Sequence, residues 1–147
     1  MSISEKLTKP PHRDKVIVDC CTLVDEEVRS KGGISGMAVK GAYGVVKAVK
    51  PRFVSEVVDG MLDEWVEKLV PFWEAWDKAG RSRPFGEHLR AEASTVAERL
   101  LEVTDGRAKG AKNATVKKMY EKMRPSAKKH VEEAVPRLGS LVERHAG

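Results

Sequence analysis

The chain of 147 residues is 41% hydrophobic and 33% charged, with a formal net charge of +5. A chain of this length can bury roughly 70% of the surface of its unfolded state, and this composition is not that of a disordered protein. The longest stretch without a charge, residues 32–39, is too short to span a membrane, and residues 1–11 lack the apolar run of a secretory signal. We therefore expect one domain over residues 1–147, located in the cytoplasm.

The first strongly periodic segment predicts a helix from about Pro11 to Ser30. Its apolar residues recur at helical spacing and share one side of the helix. They are Val16, Ile17, Cys20, Leu23, Val24 and Val28. Pro10 and Pro11 suit a helix start, and the pair Gly32-Gly33 can adopt the left-handed conformation that ends a helix.

Two adjacent cysteines, Cys20 and Cys21, lie within this predicted helix. Neighbouring residues of a helix are too close for ordinary disulfide geometry, so we expect no bridge between them. We interpret both as buried small hydrophobic residues. A sequence without a disulfide framework favours the reducing cytoplasm.

A second helix is predicted from about Gly36 to Lys50, with Ser35 as its N-cap. Its apolar arc contains Ala38, Ala42, Val45, Val46 and Val49. Its opposite side carries Lys40, Tyr43, Lys47 and Lys50. A cationic amphipathic helix of this kind can lie on an anionic membrane. However, the apolar side lacks Trp, Phe and Leu anchors, and close packing against a neighbouring helix explains Gly41 and Ala48 more simply, so peripheral membrane association is the alternative.

The best-defined element is a long third helix from Pro51 to about Lys78. An apolar stripe runs along it at spacings of three and four residues. The stripe comprises Val54, Val58, Met61, Trp65, Leu69, Phe72 and Trp76, and it is widened by Phe53, Val57, Leu62, Val66 and Trp73. Pro71 lies off the stripe, which predicts a kink near this residue rather than the end of the helix.

Five carboxylates lie on the side of the third helix opposite its stripe. This acidic ridge consists of Glu56, Asp59, Asp63, Glu67 and Glu74. The simpler interpretation is a solvated face. A more specific interpretation is that the ridge meets a basic face, either in the same molecule or in a second copy. Contact with a second copy would make the protein a homo-oligomer. No loop geometry supports a divalent-cation site here.

Three further helices are predicted in the C-terminal half. One runs from Phe85 to near Asp105, a short one spans about residues 114–123, and the last spans about residues 126–145 with a bend at Pro136. The sequence contains no alternating strand pattern, no internal repeat and no sustained heptad seam. It therefore predicts an all-α bundle of five or six helices.

No motif for catalysis, cofactor binding or metal binding is present. The run Gly106–Lys112 has the wrong spacing for a phosphate-binding loop, and Gly33–Gly36 lacks the second glycine of a nucleophile elbow. None of the four histidines has a glutamate three residues before it, as a di-iron helical bundle requires. We expect no cofactor, no small-molecule substrate and no intrinsic catalysis, although an enzyme with an unrecognised site stays an alternative.

A basic segment between residues 107 and 129 contains nine lysines and arginines and one acid, Glu121. These nine are the candidate anion-binding residues: Arg107, Lys109, Lys112, Lys117, Lys118, Lys122, Arg124, Lys128 and Lys129. Residues 107–113 are predicted to form a mobile, glycine-containing loop that could follow a phosphate backbone. Tyr120 is the only aromatic residue of this segment, so we expect little stacking on nucleic-acid bases. We predict that this segment binds an anionic partner, either nucleic acid or an acidic protein surface. The simpler interpretation is that its lysines only keep the protein soluble.

Two passages carry a resemblance to a known family. Residues 34–51, ISGMAVKGAYGVVKAVKP, and residues 124–136, RPSAKKHVEEAVP, resemble an uncharacterised bacterial family of small soluble helical proteins, a domain of unknown function. The resemblance extends over most of the chain. It implies a bacterial, cytoplasmic protein and assigns no activity to any residue.

Overall fold

A computed structural model describes residues 2–31, 33–110 and 114–147 of the chain. These residues form seven α-helices and no strand: α1 (Ile3–Thr8), α2 (His12–Ser30), α3 (Gly33–Val49), α4 (Phe53–Lys78), α5 (Phe85–Arg90), α6 (Ala93–Lys109) and α7 (Ala114–Ala146). The predicted all-α class is therefore confirmed. The described residues contain seven helices where five or six were expected, and the differences lie at the N-terminus and in the C-terminal half.

Helix α1 was not predicted from the sequence. Ser2 caps it by accepting a hydrogen bond at Oγ from the Glu5 amide (3.2 Å), and Ile3 and Leu7 are buried in the core. The Lys6 ammonium donates to the carbonyl of Ala146 (3.0 Å), which ties α1 to the end of α7. A helix of six residues is too short to show a periodic pattern, so its conformation depends on these tertiary contacts.

The predicted helix from Phe85 to Asp105 is divided into α5 and α6 by a turn at Ala91 and Glu92. Helix α5 packs chiefly on α7 and only slightly on α6. The apolar spacing continues through the turn, with Leu89 and Val96 both fully buried, and it therefore gave no sign of a break.

The two C-terminal helices of the prediction are one helix, α7, which contains both Pro125 and Pro136. Each internal proline removes one helical hydrogen bond, but packing of α7 on α5, α6 and α2 supports the helix. The predicted loop at 107–113 is also shorter than expected, because α6 continues to Lys109. Residues 111–113 of that loop lie outside the described residues. Helix α4 likewise runs through Pro71, and bends at Pro71 and Pro136 stay predictions.

The core forms where α4 and α7 meet the shorter helices. Its α4 members are Val58, Leu62, Val66, Leu69, Trp73 and Trp76. Trp73, Trp76 and Phe85 form an aromatic cluster with ring centroids 4.8 to 5.1 Å apart. The indole of Trp76 donates to the carbonyl of Arg83 (2.6 Å), which satisfies its polar atom and fixes the loop before α5.

Helices α5 and α7 cross at two glycines with their backbones in contact. A methyl group on Gly139 would lie 2.7 Å from the amide nitrogen of Gly86, and one on Gly86 would lie 2.5 Å from the carbonyl oxygen of Pro136. Any side chain larger than hydrogen at either position would therefore push two backbones apart. This crossing seats Phe85 in the core.

The described residues of α3 do not show the predicted burial pattern. Two residues of the predicted polar side contact α2, since Tyr43 and Lys47 both donate to the Asp25 carboxylate, with Lys47 at 3.1 Å. The apolar residues Ala38, Val45 and Val49 of the predicted arc are exposed, whereas the side chains of residues 42 and 46 lie outside the described part. Gly41 and Ala48 are exposed too, and a methyl group on Gly41 would meet no atom within 4 Å. The interpretation of both as close-packing residues was therefore wrong.

Candidate functional site

Three cations of the basic segment are held in ion pairs within the molecule. Arg107 donates to the carbonyl of Gly60 (2.7 Å) and to Glu64 (3.3 Å) on α4. Arg124 and Lys128, on α7, contact acids of α6. Arg124 Nε lies 2.8 Å from Asp105, its Nη2 lies 2.9 Å from Glu98, and the Lys128 ammonium lies 3.2 Å from Glu98. These three side chains are occupied in joining helices and contribute less to an outer anion-binding surface.

Five other candidates are exposed and have no ion-pair partner within the described ranges. They are Lys109, Lys117, Lys118, Lys122 and Lys129, called the lysine face below. Lys112 lies outside the described residues. Four of the five are on α7, and Lys118, Lys122 and Lys129 recur at spacings of four and seven, which places them on one side of that helix. Both described arginines of the segment are paired, so the unpaired charge is carried by lysine alone.

A cleft of about 570 Å³ opens between the end of α6 and the start of α7. It is lined by Asp105, Ala108, Lys109, Lys117, Tyr120, Glu121 and Arg124. The Tyr120 hydroxyl donates to Asp105 and lies 3.0 Å from the Thr104 hydroxyl oxygen. Burial, followed by the hydrogen bond to Asp105, raises the pKa of Tyr120. The one aromatic side chain of the basic segment is therefore held by α6 rather than presented for stacking.

Arg124 lowers the pKa of two carboxyl groups. Its hydrogen bond to Asp105 is the main cause of the lowered pKa of Asp105, whereas Lys128 and then Arg124 lower the pKa of Glu98. A folded-state pKa below the unfolded value stabilises the fold above the unfolded pKa, and this stabilisation is lost as the pH falls through the folded pKa.

The variant Arg124→Gln is expected to be less stable than the wild type by about 1–2 kcal/mol at neutral pH, as for charge-assisted hydrogen bonds partly screened by water. Because Asp105 then loses the main cause of its lowered pKa, the stability curves of the wild type and the variant should converge as the pH falls below about 4. Urea denaturation at a series of pH values measures both. The control is Arg90→Gln, at an exposed arginine without a carboxylate partner in the described residues, and its free energy of unfolding should change with pH as that of the wild type does. A difference between Arg124→Gln and the wild type that stays constant at all pH values would contradict the expectation.

The acidic ridge meets a basic residue of the same molecule at two of its five positions. Arg13 on α2 donates from Nε to Asp59 (3.0 Å) and from Nη1 to Asp63 (3.2 Å), and its Nη2 donates to the carbonyl of Asp59 (2.7 Å). The hydrogen bond to Asp63 is the main cause of the raised pKa of Arg13. The other three acids, Glu56, Glu67 and Glu74, are exposed without an ion-pair partner among the described residues.

An apolar cavity of about 340 Å³, which sequence reasoning missed, lies between the helices and is partly open to solvent. Its walls come from α2, α4, α6 and α7, with Leu7 of α1 and Val39 of α3 completing them. No residue pattern signals a cavity, because it depends on how far apart the apolar faces of different helices come to rest.

A buried lysine lines this cavity. Lys31 is 5% exposed, and its ammonium lies 2.7 Å from Glu133, 3.1 Å from Glu27 and 3.4 Å from the carbonyl oxygen of His130. The second oxygen of Glu27 lies 3.3 Å from Arg137. The hydrogen bond from Lys31 lowers the pKa of Glu133. All three ammonium donors therefore have acceptors.

The described part of the chain gives no support for a metal site, a membrane-spanning helix or a reactive thiol. It contains no group of three metal-ligating side chains and no helix long and apolar enough to cross a membrane. Cys20 and Cys21 are both free thiols. Burial raises the pKa of Cys20 to about 12 and also raises that of Cys21, so thiolate chemistry is disfavoured at both. Both are half-buried rather than fully buried.

Comparison with known proteins gives a family and no activity. No curated protein matches the chain significantly, and no solved structure does. Residues 3–146 match the model of a family of unknown function, DUF6918. The match covers nearly the whole chain, so the protein belongs to this family of uncharacterised domains.

Proposed function

We propose that the protein is a non-catalytic binding protein whose lysine face engages the phosphate backbone of nucleic acid. The observation that carries the proposal is the division of the basic segment: its described arginines are paired internally, and five exposed lysines are left without an internal partner. Residues that served only the fold would be expected in pairs like those of Arg107 and Arg124. A surface with a large excess of positive charge raises the local concentration of anions and the rate of encounter with them.

The kind of cation indicates backbone contact rather than base recognition. Arginine reads guanine through two parallel hydrogen bonds, whereas a lysine ammonium acts as a point charge on phosphate. The lysine face has no unpaired arginine within the described residues, and Tyr120 is engaged by α6. We therefore expect binding that discriminates little between sequences and weakens steeply with salt.

The double variant Lys117→Glu/Lys118→Glu is expected to abolish binding to labelled duplex DNA and single-stranded RNA, measured by fluorescence anisotropy at about 50 mM salt. The matched control is Lys9→Glu/Lys15→Glu, which makes the same change in net charge at exposed lysines of the N-terminal part. The control should bind as the wild type does.

Equal losses in the two variants would show that net charge rather than the lysine face is responsible. Failure of the wild type to bind either nucleic acid would overturn the proposal and leave an acidic protein surface as the anionic partner. A second copy is one such surface, since Glu56, Glu67 and Glu74 of the acidic ridge are exposed, and salt-dependent sedimentation would reveal it.

The exposed side of α3 supports a second function, association with an anionic membrane surface. Met37, Val45 and Val49 are each more than 60% exposed, and Phe53 follows just beyond the helix. Lys40 and Lys50 are exposed beside them, and no acidic residue occurs between residues 29 and 52. Cosedimentation with anionic but not neutral liposomes would support this function. Helix α3 contains no Trp, Phe or Leu to anchor it in a membrane, which makes the lysine face the stronger proposal.

A further inference from the structure

The cavity between the helices has the size of a ligand-binding site. Its volume of about 340 Å³ lies in the range of small-molecule sites, roughly 300–1,000 Å³. A cavity of about 150 Å³ lined by aliphatic and aromatic side chains already holds benzene, so this one admits a larger apolar group.

The walls of the cavity are aliphatic almost throughout. Representative residues from facing helices are Val24, Val66, Leu100 and Val131. Such walls make only apolar contacts, so the binding free energy becomes more favourable with the hydrocarbon surface that the ligand buries. A sugar, nucleotide or other polar metabolite would lose its hydration here without gaining hydrogen bonds.

Three polar side chains that line the cavity, Glu27, Lys31 and Thr104, are engaged with one another or with the backbone. Lys31 has acceptors for its three donors, and Glu27 contacts Lys31 with one oxygen and Arg137 with the other. The Thr104 hydroxyl donates to the carbonyl of Leu101 (2.9 Å). Three carboxylates and two cations meet in this network, because Arg137 also contacts Glu26. These five side chains carry one excess negative charge, which does not favour an anionic head group beside them.

We propose that this cavity binds one aliphatic hydrocarbon chain, whose polar end stays outside the apolar walls. The chain could belong to a fatty acid, a fatty alcohol or a lipid, since all three present the same methylene groups to the walls. This site is separate from the lysine face, and none of the five lysines lines it.

The test measures displacement of the neutral fluorescent probe N-phenylnaphthylamine from the full-length protein by dodecanol and by dodecanoate. The wild type should bind the probe, and both chains should displace it. Val24→Phe and Val131→Phe place a ring inside the cavity and should weaken binding about tenfold or more, because the ring occupies the volume of several methylene groups. Their thermal midpoints should not fall below that of the wild type.

Two controls separate the cavity from the surface. Val18→Phe makes the same change on α2 at a residue that is 63% exposed and does not line the cavity, and Val45→Gln removes an exposed apolar residue of α3. Both should bind the probe as the wild type does.

Four results would overturn the proposal. The wild type could fail to bind the probe, or dodecanol could fail to displace it while dodecanoate succeeds, which would show recognition of a carboxylate. A well-folded Val24→Phe that binds normally would place the probe elsewhere. A strong loss of stability in both phenylalanine variants would show that the space is not available, since overpacking a filled core destabilises it.

Discussion

The variant Lys31→Met is expected to lower the free energy of unfolding by about 3–5 kcal/mol, because it removes one partner of a buried ion pair and leaves the other behind. The Lys31 side chain is 4% exposed and that of Glu27 is 11% exposed. Without the ammonium, Glu27 keeps only its contact with Arg137, at 3.3 Å. Methionine preserves most of the volume of the lysine stem, so the loss reports the charge rather than a cavity. Chemical denaturation at neutral pH measures it.

Two further variants test this explanation. Lys47→Met makes the same change at a lysine whose side chain is 49% exposed and pairs with Asp25, and it should cost no more than about 1 kcal/mol. The double variant Glu27→Leu/Lys31→Met should recover most of the loss, since apolar replacement of a buried pair is often neutral or stabilising. A loss at Lys31 no larger than that at Lys47 would contradict burial of the ammonium.

Gly139→Ala is expected to destabilise the protein by about 1–3 kcal/mol, because the added methyl group meets the backbone of α5 and not a side chain that can move aside. Gly41→Ala is the matched control, since its methyl group meets nothing within 4 Å and alanine is the better helix former. It should stabilise by about 0.5–1 kcal/mol. Thermal unfolding of the two variants should thus shift in opposite directions, and equal shifts would argue against the close crossing of α5 and α7.

The helices that could be predicted from the sequence are those whose own segment shows a clear apolar periodicity. Helices α2 and α4 carry their own apolar periodicity, and their observed bounds, His12–Ser30 and Phe53–Lys78, lie within a few residues of the predicted ones. The division between α5 and α6 was missed because it accompanies a glycine crossing with α7, more than forty residues away along the chain. The pattern of one segment carries no information on such a contact.

The orientation of α3 shows a second limit of pattern reasoning. Its valines and alanines suggested an inward face, but Ala38, Val45 and Val49 are exposed, and Tyr43 and Lys47 of the opposite side have a partner in Asp25 of α2. Which side of a weakly amphipathic helix is buried depends on whether another helix offers a partner to its polar side. The apolar side is then left to solvent or to a partner.

The candidate site was predicted in part. The concentration of cations in the basic segment is visible in the sequence, and five of the nine lie exposed without an internal partner in the described ranges. The partners of Arg107, Arg124 and Lys128 lie on other helices and could not be inferred from spacing. The spacing of Glu27 and Lys31, four residues apart, is typical of an ion pair, but only the fold shows that this pair is buried.

The most direct test of the proposed function is the salt dependence of wild-type binding to a duplex of random sequence. Each phosphate contact contributes a slope of about −0.9 to the plot of log Kobs against log salt concentration, so four or five lysine contacts predict a slope of about −4. The same slope is expected for duplexes of different sequence. A slope near zero, or no binding at about 50 mM salt, would contradict an interaction carried by the lysine face.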